Sequence, residues 1–452
     1  MQFRIQYKLY FSPSKITMLY CRSVYFMLII LLCCCACDKG ITTINHENGK
    51  CIIDDSLDQW INAAVPQNIE IFKNQIQEEN LLQFQAEQKS LNEEYNKKFF
   101  APWFQKQNFK TKKLTEFIKT NFYGEDLHKL PKSEINLINE NISNATYVCL
   151  NGIAVKNTMT QAFPSNKPLF ADIKRPGKSY PFDSNIKSMM KIGTPVNITS
   201  ISADKKWFYV KSHLFNGWAF ASDIALTSRS FEKNYMSKKY CIAIKDQISI
   251  EHNGSFIANV NIGVTLPVKN NKLLVPFRNS SGKAEILHCN ITNGLVERPL
   301  KFTRENISNI LKEMIGTKYG WGGYLENRDC SMLVSDFFAI FGKHLINYSG
   351  IQVSSGENVK DLNCKQKEDF IKQNGIPFLT LAGYEGHVML YVGIYDDAPV
   401  FLHNVWGLRM SDNKNTRYII GKTILSKFNL GNYKNLAERV NRVVFFSRKV
   451  NP

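Results

Sequence analysis

The sequence predicts a multidomain α+β chain: a helical N-terminal domain, two small β-barrels, and a C-terminal domain of helices on an antiparallel sheet. Three changes of texture along the 452 residues predict it. Residues 55–122 are rich in strong helix formers, residues 163–300 run as short β-type segments between turn signals, and from Lys301 helix and strand signals alternate. Length alone suggests about three domains. The expected boundaries are 1–37 for a targeting segment, 38–162 for the helical domain, 163–230 and 231–300 for the barrels, and 301–452 for the last domain.

Within the helical domain, residues 38–54 are polar and are expected to be a tether. Ile69, Phe72 and Ile76 then recur at helical spacing, and the run from Gln77 to Phe100 favours a long helix. Pro102 in "FFAPW" breaks it. Gly193 to Leu226 reads as strand, polar turn, strand with Trp207, and "NGW" with Trp218; both tryptophans are expected in a barrel core. This stretch resembles a bacterial SH3-like domain. A weaker second set follows, with Asn253-Gly254 as its tight turn.

The composition is that of a folded protein, 44% apolar and 21% charged, with a net charge of +18. Such a surface favours an anionic neighbour, such as nucleic acid, an anionic membrane or an acidic cell wall. The cations are scattered and no Lys/Arg block reads as a nucleic-acid motif, so no nucleic-acid partner is expected. The first 37 residues hold Arg4, Lys8, Lys15 and Arg22 and no acid. An apolar core from Val24 to Leu32 follows, short for a membrane span and suited to a secretory signal. Ala36 before Cys37 resembles a lipoprotein cleavage box, in which Cys37 is lipidated; Cys34 and Cys35 depart from that box, leaving a plain signal or an uncleaved anchor as alternatives. The protein is expected to be exported to the periplasm or cell envelope, with an anchor through signal or lipid. Beyond this segment Cys51, Cys149, Cys241, Cys289, Cys330 and Cys364 are irregularly spaced, with no Cys-x-x-Cys, so no metal site or other cofactor is expected. In an exported chain some of them can pair.

Chemistry concentrates around "YGWGGYLENRDCSMLVSDFFAIFG". Leu333, Phe337, Ile340 and Phe341 share helical spacing, so Cys330 opens a buried helix, with Asp329 and Ser331 suited to its first turn. There the helix dipole and free N–H groups are expected to lower the thiol pKa and to offer an oxyanion site. Two histidines lie downstream on adjacent strands. If Gly393 pairs with Pro399 in a hairpin, Met389 faces His403 and His387 lies diagonal to it, about 7–8 Å away between backbones. A one-residue slip would separate them. The pattern permits a relay in which Cys330 attacks, His387 carries the proton and His403 orients His387.

On these residues the C-terminal region resembles the NlpC-type cell-wall peptidases, a papain-like cysteine hydrolase family. The carriers are Tyr319 to Gly323 with Asp329-Cys330-Ser331, the strand "GHVMLYVG", and "HNVWG". The resemblance extends upstream through "KKFFAPW", "YPFDSNIKSMMKIGTPV" and the barrels, to a subgroup with a helical domain, two SH3-like domains and a peptidase domain. It implies hydrolysis of the γ-D-glutamyl–diamino-acid bond of peptidoglycan stem peptides through a thioester, the diamino acid being meso-diaminopimelate or lysine, with preference for a free N-terminal L-alanine. It also implies that Asp329 meets the substrate ammonium, that Tyr319, Trp321, Ser331 and Ser349 line the pocket, and that Phe215 stands where relatives carry tyrosine. Ile346-Asn347 replaces a Pro-Arg pair of relatives, which alters the grip on a substrate carboxylate. Three rivals stand beside this reading. A CHAP-like amidase or peptidase would cut another wall bond, and a non-catalytic wall-binding protein would cut none. An acyltransferase of the same general fold would place histidine before cysteine, which the order here opposes.

Overall fold

The computed structural model describes residues 42–46, 49–54, 56–105, 118, 122–409, 416–431 and 435–447. The targeting segment and Cys37 lie outside them. Strands β1 (Thr42–His46) and β2 (Gly49–Ile53) come first, then helices α1 (Ser56–Ala64), α2 (Glu78–Phe100) and α3 (Lys132–Ser143). The first barrel holds β3 (Thr146–Ala154), β4 (Thr158–Gln161), β5 (Ile186–Met190), β6 (Pro195–Ile201), β7 (Trp207–Lys211), β8 (Asn216–Phe220) and β9 (Ile224–Leu226). After α4 (Arg229–Tyr235) the second holds β10 (Lys239–Ala243), β11 (Ile248–His252), β12 (Ser255–Val260), β13 (Thr265–Lys269), β14 (Lys272–Arg278), β15 (Ala284–Asn290) and β16 (Leu295–Glu297). The C-terminal domain runs α5 (Arg304–Met314), α6 (Cys330–Ile340), α7 (Ser349–Ser354), β17 (Glu357–Asn358), α8 (Cys364–Asn374), β18 (Thr380–Tyr384), β19 (His387–Tyr395), β20 (Ala398–Leu408), β21 (Thr416–Lys427), α9 (Leu436–Arg439) and β22 (Arg442–Phe445).

The last domain packs its helices on one large sheet, ordered β1-β2-β21-β20-β19-β18-β22-β17. The expected antiparallel arrangement holds throughout except where β2 runs parallel to β21. Residues 42–53 therefore extend the C-terminal sheet and are not the expected tether. The β-forming threonines and isoleucines of this stretch carry the strands despite its polar composition. The first barrel also begins earlier than position 163, because β3 and β4 pair within its sheet, β5-β4-β8-β7-β6-β3-β9. Trp207 and Trp218 are buried in it, as expected. The second barrel is a five-stranded sheet, β15-β14-β13-β10-β16, with β11-β12 as a separate hairpin.

Helix α2 carries Glu78 and Glu79 in its first turn and Lys97 and Lys98 in its last, matching the helix dipole. Its buried face fixes the domains around α6. Phe84 meets Phe302 with ring centroids 4.3 Å apart, and the Arg298 guanidinium lies 3.9 Å from the Tyr95 ring centre. Trp103, after Pro102, donates to the Gly152 carbonyl of the first barrel at 2.8 Å. Phe84, Phe99, Tyr235, Tyr240, Phe337 and Phe341 all belong to one core cluster. Each such buried aromatic contributes about 1.5–3 kcal/mol. Helix α6 thus sits where helical domain, second barrel and sheet converge, and its first residue is Cys330. Among the described residues no helix is long and apolar enough to cross a membrane.

Candidate active site

Cys330 is the first residue of α6, and Asp329 caps that helix. One Asp329 oxygen accepts from the Met332 N–H at 2.8 Å and from Ser331 Oγ at 2.9 Å; the other accepts from the Gly322 N–H at 3.1 Å. The carboxylate thereby ties the glycine loop to the helix it caps. That loop is made possible by Gly322 and Gly323, both at positive φ (57° and 95°). A Cβ at either would overlap β5 of the first barrel, at Ile186 and Met189 respectively. The loop's two ends are held by Asn404, whose amide donates to the carbonyls of Lys318 (3.3 Å) and Arg328 (2.9 Å).

The thiol does not have the lowered pKa expected from its helix position. Burial, and then the adjacent Asp329 carboxylate, push Cys330 up to about 12. Hydrogen bonds from the Val388, Ser331 and Cys330 N–H groups pull the other way and do not prevail. At a residue 7% exposed, desolvation outweighs the backbone N–H groups at the helix start. The described cysteines are all free thiols.

Val388 follows His387, so the strand that contacts the sulfur also carries the imidazole. The expected Gly393–Pro399 pairing is replaced by Gly393 with Val400 and Ile394 with Pro399. Between Tyr391 and Gly393 the register shifts by one residue, and beyond it Leu390 faces Leu402, which restores the alignment expected at the histidines. Gln75 accounts for the bulge: its amide accepts from the Ile394 N–H at 2.7 Å and donates to the Ile394 carbonyl at 2.8 Å, as a neighbouring strand would. His387 Nε2 lies 2.8 Å from His403 Nδ1, and His403 Nε2 lies 2.9 Å from Ser426 Oγ. Ser426 donates its own proton to the Lys427 carbonyl at 3.2 Å. It therefore accepts from His403 Nε2, His403 Nδ1 accepts from His387 Nε2, and the lone pair of His387 lies on Nδ1; this tautomer assignment follows from the partners. Burial, then Arg439, lower His387 to about 3, and burial holds His403 well below its usual value. Thiol and imidazoles are thus all neutral at pH 7. Ser426 carries no signal in the sequence, since a serine in a strand has no distinguishing neighbours.

Three family patterns match the chain. The "NLPC_P60 stabilising domain, N term" covers residues 24–147, the "SH3 domain (SH3b1 type)" 168–219, and the "NlpC/P60 family" 316–425. The last contains Cys330, His387 and His403. The chain carries an NlpC/P60 catalytic domain. Family members are cysteine peptidases. Among solved structures, an NlpC/P60 endopeptidase from Photobacterium damselae subsp. piscicida shares 21% identity over 85% of this chain and 97% of its own, with a TM-score of 0.72. An NlpC/P60 family protein from Bacillus cereus ATCC 10987 shares 14% identity over 66% of this chain and 100% of its own, with a TM-score of 0.45. No curated protein sequence matches.

The other candidate residues divide into those near Cys330 and one that is not. Tyr319, whose hydroxyl burial keeps well above its ordinary pKa, is within electrostatic reach of Asp329 and Cys330. Trp321 donates to the Asp183 carbonyl at 2.9 Å and packs edge-on against Phe182, 5.0 Å between centroids. Ser331 gives its carbonyl to Gln352 at 2.8 Å. Ser349 opens α7 and accepts from the Gly386 N–H at 3.1 Å, fixing the turn before His387. Phe215 is not with them: it packs on the first barrel's own core. The barrel reaches the glycine loop instead through Phe182, which also meets Tyr319 and Trp406. Asn347, at the former arginine position, joins Ser335 of α6 to Ser188 of β5, so it links domains. Tyr384 was missed by sequence reading. It lies 6.1 Å from the His387 ring, under the Arg439 guanidinium, and burial raises its pKa to about 12.

Proposed function

We propose that the protein is a cell-wall cysteine endopeptidase that hydrolyses the γ-D-glutamyl–diamino-acid bond of peptidoglycan stem peptides. The observation that carries this is the proton-ordered chain Ser426–His403–His387, which leaves an unprotonated Nδ1 on the residue next to the N–H that contacts Cys330 Sγ. His387 Nδ1 takes the thiol proton as sulfur bonds to the γ-carbonyl carbon. The proton passes to the departing amine as the C–N bond breaks, leaving a thioester. Water then attacks with His387 again as base, releasing the acid and restoring the thiol. His403 orients His387, and the protonated Tyr319 hydroxyl and the N–H groups at the start of α6 favour the developing oxyanion.

The Asp329 carboxylate and the wall made by Phe182 and Trp321 support a closed end of the cleft suited to a free N-terminal L-alanine ammonium. The net charge of +18 suits an acidic wall polymer. Export by the leading segment, with Cys37 as lipid site, belongs to the same reading. Incubating the purified protein with L-Ala-γ-D-Glu-meso-diaminopimelate tests it: L-Ala-γ-D-Glu and free diamino acid are expected. Release of L-alanine instead would support the CHAP-like peptidase reading; no product from the peptide but release of stem peptides from muropeptides would support the amidase reading, and no product from either the binding-protein reading.

A further inference from the structure

Beside the site stands a group of cations that the reaction does not use. The guanidinium of Arg439, an exposed residue of α9, lies 4.3 Å from the centre of the Tyr384 ring. Tyr384 is in turn 6.1 Å from His387. Leu408, the last residue of β20, pairs with Tyr418, and their chain neighbours Arg409 and Arg417 are within electrostatic reach of each other. Arg417 donates to the Thr416 carbonyl at 2.9 Å. Burial, then Arg409 and Arg439, lower Arg417 to about 10, and Tyr384 senses all three arginines as well as Cys330. Among the described residues no carboxylate pairs with Arg439.

We propose that Arg439, seated on Tyr384 and flanked by Arg409, binds the side-chain carboxylate of the diamino acid, so that the enzyme selects meso-diaminopimelate over lysine. Guanidinium groups recognise carboxylates in paired hydrogen bonds, and a guanidinium stacked on an aromatic ring is pre-oriented for it. This rests on the stem-peptide reading above, in which Asp329 holds the N-terminal side and the Tyr384 side receives the leaving diamino acid. Lysine has the same backbone and amine but lacks the extra carboxylate, so it forfeits this contact. The device also replaces, from a different element, the arginine missing at Ile346-Asn347.

The test is calorimetric titration of the full-length Cys330→Ala protein with L-Ala-γ-D-Glu-meso-diaminopimelate and L-Ala-γ-D-Glu-L-lysine. The diaminopimelate peptide is expected to bind about tenfold more tightly, the size of one charge-assisted contact. Arg439→Gln in the same background is expected to bring that ratio near one, and Arg439→Lys to retain part of it. Equal affinities in the unsubstituted arginine background, or an unchanged ratio in a folded Arg439→Gln protein, would overturn the proposal, as would failure of the diaminopimelate peptide to bind. Preferential binding with no hydrolysis by the Cys330-containing protein would sink the peptidase reading and leave the carboxylate site standing.

Discussion

In the proposed mechanism His387 acts as a base because His403 and Ser426, downstream in the chain, hold its other nitrogen. Ser426→Ala removes the acceptor that fixes the His403 tautomer. It is expected to lower kcat about tenfold with little change in KM, read from steady-state peptide hydrolysis. Ser426→Thr keeps a hydroxyl and is expected to recover part of the loss. His403→Ala should cost more and leave a residual rate. The raised Cys330 pKa makes a separate prediction. Iodoacetamide labelling of Cys330 is expected to climb about tenfold per pH unit from 7 to 9, because the thiolate fraction does. A plateau already reached at pH 7 would mean a thiolate–imidazolium pair instead. The cysteine, both histidines and the glycine loop were legible in the sequence because their spacing is local. The thiol's ionisation was not, because desolvation depends on what three distant segments bury around it.

The hairpin β19–β20 shows how a correct alignment arose from an incorrect turn. A two-residue turn at Asp396-Asp397, both at positive φ (51° and 54°), sets the strands one residue off the expected register. The bulge at Val392 cancels that offset before the histidines are reached. No local pattern marks it, since its partner is Gln75, 319 positions earlier in the chain than Ile394. Gln75→Ala leaves both polar groups of Ile394 unpaired and is expected to lower stability by about 1–3 kcal/mol in denaturant unfolding. A second element-level device lies below α6. Arg328, one residue before the cap, is 3% exposed. It holds Asp246 of the second barrel through both terminal nitrogens and Asp336 of α6 at 3.0 Å, and Lys191 of the first barrel joins Asp336. Asp246→Ala strands the buried guanidinium and is expected to cost about 3 kcal/mol, seen as a lower Tm.

These contacts make the surroundings of Cys330 a property of the assembled chain. Both barrels, the long helix and the N-terminal strands all bear on α6 or its sheet, so domain boundaries drawn from texture miss what the domains share. The segments at 42–53 and 146–161 escaped for the same reason: their partners, β21 and β6, lie far along the sequence. The assembly also fixes the response to acid. His213, His344, His387 and His403 are all held below their ordinary pKa by burial, with His344 at about 4. Below pH 6.5 the unfolded chain therefore binds more protons than the folded one, and stability falls as pH falls. Asp183, pushed up to about 6 by burial, and Asp329, also raised by burial, act in the opposite direction, two groups against four. The Tm is expected to drop steadily from pH 7 to pH 5, with each histidine contributing up to about 2 kcal/mol.

The most direct measurement is mass analysis of L-Ala-γ-D-Glu-meso-diaminopimelate after incubation with the wild-type protein and with Cys330→Ala. The wild type is expected to give L-Ala-γ-D-Glu and diaminopimelate, unaffected by chelator, while folded Cys330→Ala leaves the peptide whole. Cleavage by Cys330→Ala at the wild-type rate would contradict the account.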